Sequence, residues 1–324
     1  MASPAGVFTT FESIGDREDL SDVIYLISPT ETPFMSMAGK TKASGRFHEW
    51  QTDVLATAAQ NLTIEGDDAT ISTATPTVRL GNYCQILSKA VAVSGSQQVI
   101  SKAGRDNEMA YQISKRSKEL KRDLEKVVSG AYGSSAGTSA AAQGMASSES
   151  WIFTNRTDIG SGSAALATTP GFISGTVAAP TDNSNAATMS KAALDSVIQA
   201  AWTSGGDPKY ILTGAFNKTK IAGFTGIATL YKDVPGMQQG TIVGGADAYV
   251  SNFGNHTIVP SRFCRTNTVQ VLDMDYWALA YLRPFTQFPL AKTGDSEKRE
   301  ILCEVTLESR NEAASGKVTT TTTS

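Results

Sequence analysis

A phosphate-binding loop is the first chemistry that the sequence suggests, because Gly39-Lys40-Thr41 matches the end of the Walker pattern G-x-x-x-x-G-K-[ST]. In that pattern a glycine five residues before the second glycine lets backbone N–H groups surround phosphate oxygens. Phe34 occupies that position, and Pro33 cannot donate to the strand that should precede the loop. The sequence therefore predicts a turn that begins a hairpin at 39–41, rather than a nucleotide site.

Histidines and cysteines are too few and too scattered to predict a metal site or a nucleophile. His48 and His256 lie in different halves of the chain, and neither has a cysteine or carboxylate at ligand spacing. Cys84, Cys264 and Cys303 form no C-x-x-C pair and no disulfide framework, which indicates a reducing compartment. No G-x-S-x-G elbow occurs. We predict no catalytic, cofactor-binding or metal-binding residues.

The composition favours a protein that covers much of its surface with neighbours. Charged residues make up 18% of the 324 residues, against about 25% in a typical soluble domain. The net charge of −3 and the absence of a long basic tract argue against a sequence-reading DNA-binding protein. No apolar stretch approaches the ~20 residues of a membrane helix, and the first residues lack the features of a secretory signal.

The elements that would position any site begin with an arm and a long hairpin. Residues 17–26 form a short helical candidate that has no core of its own. Period-two patterns predict strands at 46–52 and 83–93, and the polar, small-residue run 60–76 forms the tip between them. A two-stranded arm is marginally stable alone in water. We therefore expect the hairpin to lie on its own domain or on a neighbouring copy.

A long helix is predicted over 101–131, with one narrow apolar stripe. The stripe consists of Met109, Ile113, Leu120, Leu124, Val127 and Ala131. Charged residues cover the other faces, and Lys115 with Glu119 and Lys121 with Glu125 are spaced for i,i+4 ion pairs. One side of this helix therefore packs, and the rest meets water or a partner.

The second half of the chain alternates helices and strands. A Gly/Ser/Ala/Thr-rich insertion at 132–188 carries one apolar group, 151–153. Ser190 caps an amphipathic helix that contains Trp202 on its apolar face. A buried strand follows at 210–213, then a helix through 216–224. Further strands are predicted at 248–252, 257–260, 268–272 and 277–282.

A second hairpin, 286–292 with 299–309, closes the fold. In its return strand every second residue from 301 to 307 is apolar and predicted to face inward, whereas Glu300, Glu304 and Glu308 face outward. Gly294 begins the turn between the strands. The threonine-rich tail has nothing to pack against and is predicted to be mobile.

The order of these elements resembles the major capsid proteins of tailed bacteriophages, which have the Hong Kong 97-type (HK-97-like) fold. The resemblance rests on "TTFESIGDREDLSDVIYLISPTETPFMSMAGK" at 9–40, "ALDSVIQAAWTSGGDPKYILTGAFNKTKI" at 193–221 and "DMDYWALAYLRPFTQFPLAKTGDSEKREILCEVTLESRNEAA" at 273–314. It implies an α+β fold built from an N-terminal arm (1–40), an E-loop hairpin (41–95), a peripheral domain with a spine helix and the insertion (96–188), an axial α/β domain (189–268), returning peripheral strands (269–315) and a mobile tail (316–324).

The resemblance also implies a function. Copies of the chain would form hexamers and pentamers of an icosahedral shell in the virion, around double-stranded DNA that is held without sequence specificity. Separate scaffold, portal and decoration proteins are the further partners, and assembly takes place in the cytoplasm of the bacterial host. The chain would have no enzymatic activity, no cofactor and no membrane partner.

Subunit contacts are predicted at Phe34, Phe47, Trp50, Arg116, Arg122, Asp295 and Glu297. Phe47 and Trp50 could instead belong to the core of their own subunit. If Trp50 is an interface residue, Trp50→Ala leaves folding intact and weakens the shell. Two other hypotheses stay open: a tail-tube or decoration protein, and an α/β enzyme with an unrecognised site.

Overall fold

The structure is a computed structural model that describes residues 30–69, 71, 73–102, 104–161, 176–224 and 247–323. The helix predicted at 17–26 lies outside the described residues. The helices are α1 (Pro33–Met37), α2 (Gly95–Val99), α3 (Glu108–Val128), α4 (Ser148–Trp151), α5 (Lys191–Thr203) and α6 (Ala215–Ala222). The strands are β1 (Gly39–Lys42), β2 (Phe47–Thr52), β3 (Val78–Tyr83), β4 (Gln85–Ser94), β5 (Arg156–Asp158), β6 (Tyr210–Thr213), β7 (Ala248–Ser251), β8 (Gly254–Pro260), β9 (Val269–Leu272), β10 (Trp277–Pro289), β11 (Ser296–Ser309) and β12 (Gly316–Thr319).

A four-stranded sheet covered by α3 forms the first layer. Its strand order is β1-β10-β11-β4, with β1 parallel to β10 and the other neighbours antiparallel. The side chain of Asn107 caps α3 by accepting a hydrogen bond from the N–H of Ala110. The helix therefore begins later than the predicted residue 101. Leu120 and Leu124 are buried in the core between helix and sheet, as the apolar stripe predicted.

The outward direction predicted for two glutamates of β11 is wrong. Glu304 and Glu308 are buried: Gln143 contacts Glu304, whereas Thr41 of β1 and His48 of β2 contact Glu308. The Nε of Arg283 donates to Glu304 at 2.7 Å, and the Nε of Arg310 donates to Glu308 at 3.0 Å. Buried carboxylates require such partners, and the sequence periodicity alone cannot show them.

A six-stranded sheet forms the second layer, in the order β5-β12-β9-β6-β8-β7. Helix α5 packs on it, with Leu194 and Ile198 buried, and Ser190 caps the helix through the N–H of Ala193. Trp202 departs from the prediction because it is 55% exposed and contacts the ring of Phe253 at a centroid distance of 5.2 Å.

The predicted mobile tail at 316–324 is wrong for the residues that the structure describes. Strand β12 lies between β5 and β9, and its residues are buried. Val318 joins the core beneath α5, and Gly316 leaves room there, since a side chain would collide with Val197. The tail thus joins β5 and β9, which lie far apart in the sequence, into one sheet. The sheet therefore crosses the predicted domain boundaries at 189, 268 and 316.

The first hairpin has two parts with different surroundings. Strands β2 and β3, the hairpin root, pair antiparallel from Phe47 opposite Tyr83 to Thr52 opposite Val78. The strand predicted at 83–93 corresponds to β4, which pairs with β11 and not with β2. The return strand of the hairpin is instead β3, the strand before it. Residues 53–77, the hairpin tip, contain no helix or strand among their described residues.

Candidate functional site

The segment that resembled a phosphate loop is a sheet edge. Residues 39–42 form β1, which pairs with β10 from Gly39 opposite Ala278 to Lys42 opposite Tyr281. The turn predicted at 39–41 is therefore wrong, because the edge of β10 offers a hydrogen-bonding partner that the local sequence does not show. The next element is β2 and not a helix, so a phosphate-binding loop does not form here.

His256, Cys84 and Cys303 are buried residues that pack inside the subunit. His256 is buried, with its Nδ1 2.6 Å from the carbonyl oxygen of Pro208 and its Nε2 2.7 Å from the Oγ of Ser251. Desolvation raises the pKa of the Cys84 thiol to about 11 and that of Cys303 to about 12. Protonated, enclosed thiols are poor nucleophiles.

Clusters that could bind a metal are absent from the described residues, where no three His, Cys, Asp or Glu side chains converge. None of the described helices combines the length and the apolar character needed to cross a membrane.

A buried ion pair fixes α4 rather than forming an open site. Glu149 is fully buried and accepts from the Nη1 of Arg265 at 3.0 Å and from the hydroxyl of Thr268 at 3.1 Å. The Nζ of Lys317 donates to the backbone oxygen of Glu149 at 2.7 Å, and burial lowers the pKa of Lys317 to about 8. These contacts join α4, β12 and the segment before β9, which are distant in sequence.

Phe34 is not available as an interface anchor, because its side chain is fully buried in its own chain. Its ring lies edge-on to Trp277, with the centroids 6.1 Å apart. The carboxylate of Glu125 accepts from the N–H of Phe34 at 2.8 Å and from the N–H of Met35 at 3.0 Å. Glu125 of α3, the predicted spine helix, thus holds α1 in place. The predicted ion pair between Glu125 and Lys121 does not form. Desolvation raises the pKa of Glu125.

The root of the hairpin also belongs largely to its own subunit. The ring of Trp50 lies 5.4 Å from that of Trp151 and packs against the main core. Phe47 lies 4.6 Å from Tyr83 and crosses Gly81, where any side chain would collide with its ring. Both residues keep some exposed surface, but their main contacts are internal.

The charged candidates lie on two separate surfaces. Arg116 pairs with Glu119 at 2.6 Å on α3, while the guanidinium of Arg122 lies 5.7 Å from the ring centroid of Phe263. Asp295 and Glu297 are exposed at the turn of the second hairpin. Glu297 pairs with Arg299 at 2.9 Å, and the backbone oxygen of Asp295 accepts from the N–H of Gly95 at 3.2 Å.

Among the described residues, the hairpin tip exposes several large apolar side chains, although its run 60–76 is mostly polar and small. Its exposed aliphatic residues are Val54, Leu55, Leu62, Ile64 and Ile71. Leu55 is 99% exposed and Ile71 94%. The signal was present in the sequence, since branched aliphatic residues recur in a run that contains no lysine or arginine. A soluble monomer has no use for such a group.

The sequence matches a known family over nearly its full length. The profile described as SU10 major capsid protein matches residues 3–322. The chain is 39% identical over 129 residues to the major capsid protein of Escherichia phage Phieco32; this alignment spans 40% of the chain and 36% of that relative.

Solved structures share the fold at low sequence identity. The cyanophage A-1(L) capsid asymmetric unit has a TM-score of 0.61 and 13% identity, with 97% of this chain and 98% of that chain covered. A chain of Microbacterium phage Oxtober96 has a TM-score of 0.59 and 12% identity, with 94% and 95% covered.

These matches agree with an α+β fold of the Hong Kong 97 type. They favour the capsid hypothesis over a tail-tube or decoration protein and over an enzyme. The chain has the Hong Kong 97-type fold and belongs to the SU10 major capsid protein family.

Proposed function

We propose that copies of this chain assemble through hexamers and pentamers into the icosahedral shell of a phage head, around double-stranded DNA. The hairpin tip is the observation that carries this proposal. Its aliphatic residues are exposed, and its only charges are acidic: Asp53, Glu65, Asp67 and Asp68. Exposed apolar groups of this kind mark sites of protein contact. A neighbouring copy of the chain is the partner that family membership favours.

Two further surfaces belong to the proposed subunit contacts. Asp295 and Glu297 project at the turn of the second hairpin, where their carboxylates are accessible to a basic neighbour. Arg116 lies on α3 and is only partly covered by its pair with Glu119. Each such contact is weak alone, but a subunit in a closed lattice must break several contacts at once to leave.

The proposed role, place of assembly and partners of the protein follow from its place in a phage shell. The protein is a structural component of the virion with no catalytic role, and it assembles in the cytoplasm of the bacterial host. Scaffold, portal and decoration proteins are its proposed partners besides its own copies. The peripheral domain carries α3 and the four-stranded sheet, and the axial domain carries α5 and the six-stranded sheet.

Assembly of the purified full-length chain tests this function. Electron microscopy and sedimentation of the unmodified chain should show shells or their hexameric and pentameric units. Leu55→Ser/Leu62→Ser/Ile71→Ser removes three of the five exposed aliphatic side chains of the tip, so the yield of shells should fall at least tenfold.

The control replaces the same three residues with methionine, which keeps the apolar character of the tip. It should assemble nearly as well as the unmodified chain. Persistent monomers of the unmodified chain over a range of salt concentrations would contradict the proposed function. Equal assembly of the serine and methionine variants would show that the tip is not the contact.

A further inference from the structure

The exposed face of the spine helix carries a line of positive charge. Lys115, Lys118, Arg122 and Lys126 recur at spacings of three, four and four, so they share the face opposite the buried stripe. The line spans about 16 Å at 1.5 Å per residue. Arg262, which is exposed in the segment after β8, lies beside its end. We call these five residues the basic ridge.

The carboxylates of α3 do not neutralise the basic ridge. Glu119 pairs with Arg116, and Asp123 pairs with Lys89 at 2.8 Å across the sheet. Glu108 lies at the other end of the helix with Arg105, and Glu125 is turned inward to the backbone of α1. Within the part of the chain that the structure describes, no carboxylate forms an ion pair with a residue of the ridge.

A groove deepens one end of the ridge. It has a volume of about 520 Å³, and its lining includes Arg122, Lys126, Arg262 and Phe263, with one carboxylate, that of Asp123, which pairs with Lys89. Arg122 lies over the ring of Phe263, and its Nε is buried without a hydrogen-bond partner among the described residues. A guanidinium that is held in position can bind an incoming anion through its terminal N–H groups.

We propose that the basic ridge contacts the backbone phosphates of double-stranded DNA and that this face of α3 therefore lines the inside of the shell. This inference rests on the proposed function. Duplex DNA carries about one charge per 1.7 Å of its axis, so a straight line of cations about 16 Å long faces many phosphates. Contacts to backbone phosphates carry no direct sequence information, which fits binding without sequence specificity.

A protein partner fits the ridge less well. Protein interfaces are depleted of lysine and have an apolar centre, whereas three of the five ridge residues are lysines. Phe263 is the ring beneath Arg122 and is only partly exposed. Because the whole chain has a net charge of −3, the ridge is a local positive surface that would hold DNA loosely enough for release.

Salt-dependent DNA binding tests the inference. Fluorescence anisotropy would measure the affinity of the full-length chain for two labelled 30-base-pair duplexes of unrelated sequence, at several NaCl concentrations. We expect Lys118→Gln/Lys126→Gln/Arg262→Gln to weaken binding to both duplexes about tenfold. The slope of log K against log salt should fall by roughly two to three, or about 0.9 for each phosphate that the variant no longer neutralises.

The matched control is Lys42→Gln/Lys191→Gln/Lys292→Gln, which removes the same charge from exposed lysines on other elements. Equal weakening by both variants would overturn the inference, because it would show a general charge effect. Normal DNA binding by the ridge variant, with a loss of shells, would also overturn it and would identify the ridge as a contact between copies. Neither result would contradict shell formation by the unmodified chain, so the proposed function would still hold.

Discussion

The root and the tip of the first hairpin belong to one loop but differ in what completes them. The root pairs β2 with β3 and rests on its own subunit through Trp50, Asn82 and His48. The tip has no strand among its described residues and exposes its aliphatic side chains. The subunit is therefore incomplete at the tip and complete at the root. Substitutions in the root should change subunit stability, whereas those in the tip should change assembly alone.

Trp50→Ala gives the largest expected effect on the unassembled subunit. Removing the indole leaves a void against Trp151 and should lower the free energy of unfolding by about 3 kcal/mol. Urea unfolding followed by circular dichroism measures it without relying on tryptophan fluorescence. A purely interfacial Trp50 would instead leave folding intact, and its packing against Trp151 argues against that alternative.

The control for Trp50 is Trp202→Ala, which removes a tryptophan that is 55% exposed and packs on Phe253. Its cost should be about 1 kcal/mol or less. If the two substitutions cost the same, or if Trp50→Ala costs nothing, the root is not part of the subunit core.

Asn82→Ala is expected to come second. The buried Asn82 amide donates to the carbonyl of Leu307 at 2.9 Å, and its oxygen accepts from the N–H of Ala146 at 2.9 Å. Alanine leaves these buried backbone groups without partners, which should cost about 2 kcal/mol. Asn61→Ala, in the exposed tip, should leave the urea midpoint unchanged. A small effect at Asn82 would mean that water replaces the amide.

Glu308→Gln tests the charge that fixes the root. Hydrogen bonds from His48, Arg310 and Thr41 lower the pKa of Glu308 to about 2 from its usual 4.5. The stabilisation is fully present above pH 4.5 and is lost as the pH falls towards 2. At pH 7 the substitution should cost about 1.5 kcal/mol, and unfolding should depend less on pH between 4.5 and 2.

The control for Glu308 is Glu49→Gln, which removes an exposed partner of Arg79 in the same hairpin. Its effect at pH 7 should stay below about 0.5 kcal/mol. An unaltered acid transition in Glu308→Gln would show that other carboxylates govern it.

The tip should give the smallest effect on the subunit. Leu55→Ser/Leu62→Ser/Ile71→Ser removes side chains that contact nothing in the core, so the free energy of unfolding should change by less than about 0.5 kcal/mol. Leu80→Ser, in the root, loses packing against the core and should cost about 2 kcal/mol. A destabilised tip variant would show that the tip packs on its own subunit.

Local patterns predicted the long elements well, because the spacing of their apolar residues shows which face of each helix or strand is buried. Leu120 and Leu124 of the α3 stripe and the inward-facing residues Ile301, Cys303, Val305 and Leu307 of β11 are buried, and Ser190 caps α5 as predicted. Several of the wrong predictions concern residues whose partners are distant in sequence. β1 pairs with β10, β12 pairs with β5 and β9, and Glu308 accepts from Thr41 of β1 and His48 of β2.

The candidate site was predicted only in part. Phe47 and Trp50 are predicted contacts because aromatic residues often anchor interfaces, but the same property suits a core, and the fold also encloses the predicted contact Phe34 fully. The aliphatic residues of the tip were visible in the sequence, yet their exposure depends on the absence of any packed neighbour. The basic ridge was also visible as charge. That its residues lack carboxylate partners among the described residues can be seen only in the three-dimensional structure.

The sequence by itself determined the type of the long elements, the scarcity of reactive side chains and the resemblance to phage capsid proteins. Periodicity, capping residues and composition are local quantities that one chain carries without its fold. Tertiary structure alone decided which hydrophobic groups are covered and which charges are paired. Burial is a property of what lies beside a residue in space, and here those neighbours come from strands and helices far along the chain.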